Sequence, residues 1–130
     1  MLKTVNHRTM TYETKLNQTK SSYPFDEWRR AFDHGLDMYT PENCAAMQRV
    51  FDGLISALIA KGETATEAEK IALFKTAIEA TNEVDAETGM VETSEREDLC
   101  ELTNAITVAA GLKPEDYGSG EGLASEWRDW

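Results

Sequence analysis

The stretch from Thr40 to Gly62, TPENCAAMQRVFDGLISALIAKG, constrains the fold more than any other part of this chain. Met47, Val50, Phe51, Leu54, Ile55, Leu58 and Ile59 recur so that an α-helical period of 3.6 brings them to one face. Both ends are marked. Thr40 offers a capping oxygen, Pro41 has its φ already set for a first helical position, and Glu42 suits the positive end of the helix dipole. Gly62 suits the stop. A helix of this length keeps its structure in water by burying such a face against partners, so the remaining sequence must supply them.

Three other segments do. After Tyr23-Pro24, a stripe of Phe25, Trp28, Phe32 and Leu36, with Tyr39 beyond, predicts a helix entering the core, with Asp26 and Glu27 in its first turn and Gly35 in its interior. Thr64 and Glu67 match a capping box at the head of a third helix. Ile71, Leu73, Phe74, Ala77, Ile78, Ala80 and Val84 give it a broad apolar arc, with Lys75, Glu79, Asn82 and Glu83 on the other side. That helix should fray near Asp85, and DAETGM reads as a turn ending at Gly89. Ser94 and Glu97 match a second capping box, followed by Leu99, Leu102, Ile106, Ala109 and Ala110, with Gly111 and Pro114 closing the helix.

Short connections between four such helices predict an all-α fold, a compact four- to five-helix bundle made by residues 23–130 as one domain. Residues 1–22 are rich in Thr, Asn, Ser and Lys without a sustained apolar period, and are expected to be a flexible or extended leader, with a short strand conceivable over Thr9 to Leu16. At the other end YGSGEG reads as a flexible hinge. Leu123, Trp127 and Trp130, spaced i, i+4 and i+7, then make a short helix that docks on the bundle, because large aromatics left in water invite aggregation.

Charge narrows the partners. The chain has 24 acids against 13 bases, a net −11. Residues 1–22 hold four bases and one acid, a formal +3, which leaves −14 on the rest. Such a body repels phosphate backbones, so no nucleic-acid partner is expected. No apolar run approaches the ~18 residues of a membrane span, and no signal-peptide segment opens the sequence. Cys44 and Cys100 form no CxxC motif and sit within helical apolar patterns, as small buried thiols do. Together these features predict a cytoplasmic protein without membrane contact. Broad apolar helices in a short chain also allow a homodimer, two-fold symmetry being the commonest closed assembly.

The run from Met90 to Leu112 raises the sharpest question about chemistry. At about 100° per residue, Glu95 falls within the arc of Leu99, Leu102 and Ile106, and Asp98 at its edge, while Glu97 and Glu101 point away. Carboxylates at i and i+3 project together and can share a hard cation. In this the chain resembles the all-helical nucleotide pyrophosphohydrolases, whose pattern is an ExxE on one helix and an ExxD on the next with magnesium between them. Glu95 and Asp98 match the ExxD; Glu79 and Glu83 lie on the preceding helix, where Asn82 stands in place of the second acid. The resemblance implies a magnesium site of Glu79, Glu83, Glu95 and Asp98, and a metal-polarised water attacking a phosphoanhydride. The plainer account is that acids gather in first helical turns because free amides and the dipole stabilise them there, by about 0.3–1 kcal/mol each.

Other motifs are absent. DAETGMVE does not place its acids at the spacing of a calcium loop, His7 and His34 form no metal pair, and neither a phosphate-cradling glycine loop nor a nucleophile elbow occurs. No catalytic residues and no cofactor are therefore expected in the main reading. It is a small acidic regulatory or inhibitory protein that binds a basic protein partner, with Glu83, Glu87 and Glu92 steering it and Trp127 and Trp130 as anchors. The magnesium-dependent hydrolase is the alternative.

Overall fold

The computed structural model describes residues 10–130, and among them the structure is all-α with no strand. Six α-helices follow in chain order: α1 (Tyr12–Gln18), α2 (Phe25–Asp33), α3 (Pro41–Lys61), α4 (Glu67–Thr88), α5 (Thr93–Ala109) and α6 (Ala124–Trp127). Short 3-10 turns occupy Thr19–Ser22, Pro114–Asp116 and Gly118–Gly120.

The helix from Pro41 to Lys61 matches its sequence signals at both ends. The Thr40 hydroxyl accepts the Asn43 amide at 3.0 Å, and Gly62 follows the last helical residue. Met47, Phe51, Leu54, Ile55 and Leu58 are buried. The next two helices begin with capping boxes, each two residues earlier or later than the spacing suggests. In α4 the pair is Thr66 and Glu69, not Thr64 and Glu67: the Glu69 amide donates to Thr66 Oγ1 at 3.1 Å, and the Thr66 amide to Glu69 Oε1 at 2.9 Å. Thr64 is consumed in a turn closed by the Ala65 amide on the Gly62 carbonyl. In α5, Glu95 reaches back to the Glu92 amide at 3.1 Å, so the helix starts at Thr93 and Glu97 is left in solvent.

Two expectations for α2 are corrected. The helix stops at Asp33, because Gly35 (φ +93°) turns the chain and lets the Leu36 amide close back on the Ala31 carbonyl at 3.2 Å. Gly35 is thus a terminator, not an interior residue. The aromatic stripe breaks with it: Phe25 and Trp28 are buried, but Phe32 and Leu36 are 38% and 49% exposed. Tyr39 is buried from the loop that follows, its hydroxyl donating to the Met90 carbonyl at 3.0 Å.

The expected leader is corrected over residues 12–22; residues 1–9, with His7, Lys3 and Arg8, lie outside the described residues. Among the described residues, 12–22 form neither a strand nor an extended segment. Thr11 caps α1 by accepting the Thr14 amide at 3.0 Å, and Leu16 is fully buried. One buried leucine in a seven-residue helix leaves no period to detect, which is why composition misled here. Packing explains what α1 does. It lies against both α3 and α5, while α6 lies against both α4 and α5. With α3 on α4, these pairs close a ring in which the two small helices join α5 to the long α3–α4 pair, and α2 covers α3.

The C-terminal segment docks as expected, but no hinge precedes it. Leu123, Ala124 and Trp130 are buried. Gly122 (φ +118°) runs so close to α5 that a Cβ there would clash with Asn104 Oδ1, and the Gly118 amide donates to the Glu126 carboxylate at 2.7 Å. YGSGEG is a tight, close-packed turn whose glycines serve backbone geometry and contact.

Candidate functional site

Twenty of the twenty-four acids are exposed. Among the described residues only Glu69 and Glu79 form ion pairs, with Lys61 at 3.8 Å and Lys75 at 3.7 Å. Several cations turn inward instead. Lys70 is 6% exposed; its ammonium donates to the carbonyls of Ala110 (2.8 Å) and Glu63 (2.9 Å) and stands 5.0 Å from the centre of the Tyr12 ring. It caps the negative end of α5 and fastens α1, α4 and α5 together. Arg96 and Arg128 are half-buried, and Arg128 lies over the Trp130 ring. Eight bases are exposed among the described residues against those twenty acids, so the negative balance of the sequence is carried at the surface.

The acids converge most clearly at one cleft. A hollow of about 390 Å³ opens between the Thr19–Ser22 turn, the start of α2 and the first half of α5. Ser21, Ser22, Glu27, Asp98 and Glu101 line it, with Tyr23, Pro24 and Leu102 as its apolar part. An aromatic cluster sets its position. Phe25 packs edge-on against Tyr23 and Trp28, with ring centres 5.1 and 5.2 Å apart, and lies 6.0 Å from Phe51 on α3. Two polar ties fix the cluster's rim: Trp28 Nε1 donates to Asp98 Oδ2 at 3.0 Å, and the Tyr23 hydroxyl to Asp52 Oδ1 at 2.8 Å. Burial, then the hydrogen bond to Asp52 and its charge, push the Tyr23 phenol well above its ordinary range. With Asp98 committed to the indole, Glu27 and Glu101 remain exposed on the cleft walls.

The four carboxylates of the magnesium reading are not brought together. Glu79 is exposed and paired with Lys75, and Glu83 is exposed on α4. Glu95 and Asp98 are half-buried, as their angles on the helix predict, but Glu95 caps α5 and Asp98 holds Trp28. Among the described residues no three His, Cys, Asp or Glu side chains are grouped so as to hold a metal ion. Asn82, which stands where an ExxE would have its second acid, clamps the C-terminal segment instead: its amide donates to the Trp127 carbonyl at 2.9 Å and its oxygen accepts the Asp129 amide at 2.9 Å.

Of the expected partner contacts, Glu83, Glu87 and Glu92 are exposed and Trp127 is half-buried. Trp130 is corrected from anchor to core residue. It is 7% exposed, and its indole donates to Thr81 Oγ1 at 3.0 Å. That Glu27 and Glu101 line one cleft escapes sequence inspection because they lie far apart in the chain, on helices joined by the Trp28–Asp98 hydrogen bond. Both cysteines are free, and burial raises both thiols, that of Cys44 fully inside and that of Cys100 half-buried. No helix among the described residues is long and apolar enough to cross a membrane. No known protein family, curated protein or solved structure matches the sequence significantly.

Proposed function

We propose that this is a small acidic binding protein that regulates or inhibits a basic protein partner, receiving a Lys- or Arg-bearing segment in the cleft between Glu27 and Glu101. The observation that carries the proposal is the unneutralised surface: twenty exposed acids, two of them in ion pairs among the described residues, with Lys70 drawn into the interior. Such a field speeds encounter with a basic partner and rejects acidic ones. Within the cleft, Glu27 and Glu101 supply charge, Ser21 and Ser22 supply hydroxyls, and Tyr23, Pro24 and Leu102 offer an apolar wall for the stem of a long basic side chain. Glu83, Glu87 and Glu92 extend the negative surface beyond it.

A pull-down from native extract tests this. The tagged protein should retain a basic protein at ~50 mM salt and release it as screening shortens toward ~3 Å near 1 M. Retention of nothing, or of a partner indifferent to salt, contradicts the proposal.

A further inference from the structure

We draw no further inference here: the strongest candidate, the apolar groove between α3 and α4 lined by Val50, Gly53, Leu54, Ala57, Leu73 and Ala80, is an unpartnered helix face, and nothing in the structure shows what covers it.

Discussion

The indole of Trp28 on α2 donates to the carboxylate of Asp98 on α5 at 3.0 Å, across seventy residues of sequence. The bond joins α2, which packs on α3, to α5, which packs on α1 and the Thr19–Ser22 turn. Asp98→Ala leaves a buried N–H without its acceptor and should cost about 1–3 kcal/mol in urea unfolding. Asp98→Asn keeps an acceptor and should cost less. In Trp28→Phe the donor is gone, so adding Asp98→Ala to it should cost less than Asp98→Ala alone. Strict additivity of the two changes would show that the bond contributes nothing.

The ring of helices makes the two short ones structural members. Leu16→Ala on α1 should destabilise by about 2–5 kcal/mol, and Trp130→Ala by about 3–5 kcal/mol, the usual cost of emptying a filled core position. Both appear as lowered midpoints in chemical denaturation. A loss below about 0.5 kcal/mol at either position would mean that the segment is not part of the folded unit.

Two glycines should respond in opposite directions. Gly53 lies in the middle of α3, where a methyl group would meet nothing within 4 Å. Gly53→Ala should therefore stabilise by about 0.5–1 kcal/mol through helix propensity. At Gly122, positive φ and the nearby Asn104 oxygen both oppose a side chain, so Gly122→Ala should destabilise by more than about 1 kcal/mol. Thermal unfolding of the two variants beside the parent separates these effects.

All four tyrosines hold their protons more tightly in the fold than in a free chain. Burial is the first cause for each, with Glu63 adding to it at Tyr12, Asp52 at Tyr23, and Glu95 and then Glu92 at Tyr39. Tyr117 is pushed up to about 12 by burial, its hydrogen bond to Glu67 and the charges of Glu67 and Asp116. A group whose folded pKa is raised contributes stability that is complete below its unfolded value, ~10 for tyrosine, and is lost as pH climbs through the folded value. Tyrosinate absorbance should therefore stay low through pH ~10 and rise together with the loss of helical circular dichroism. A phenolate transition centred at the ordinary value, with helicity intact, would contradict this packing.

Much of the architecture is legible in the chain because α3, α4 and α5 repeat apolar residues over several turns, and such repetition has one efficient solution. The short elements are not. Leu16 is a lone apolar residue among polar ones, and only its neighbours on α3 and α5 make it core. Lys70 occupies a core-facing position one turn before Phe74, but a lysine there reads as solvent-facing until the Ala110 carbonyl is seen to receive it. The site divides in the same way. The inward tilt of Glu95 and Asp98 follows from helix geometry alone. Their hydrogen-bond partners, and the cleft that Glu27 and Glu101 both line, depend on which helices meet, which spacing within one helix does not determine.

The most direct measurement is the affinity of the captured basic partner for the parent protein and for Glu27→Gln/Glu101→Gln, followed by titration calorimetry at several salt concentrations. Glu115→Gln/Asp116→Asn, which removes the same charge from exposed positions outside the cleft, is the control. Exposed ion pairs contribute about 0.2–1 kcal/mol each. The cleft variant should therefore bind roughly 2- to 30-fold more weakly at low salt and depend less steeply on salt, with the control close to the parent. Equal losses in the two variants, or no loss in the cleft variant, would contradict the assignment of binding to this cleft.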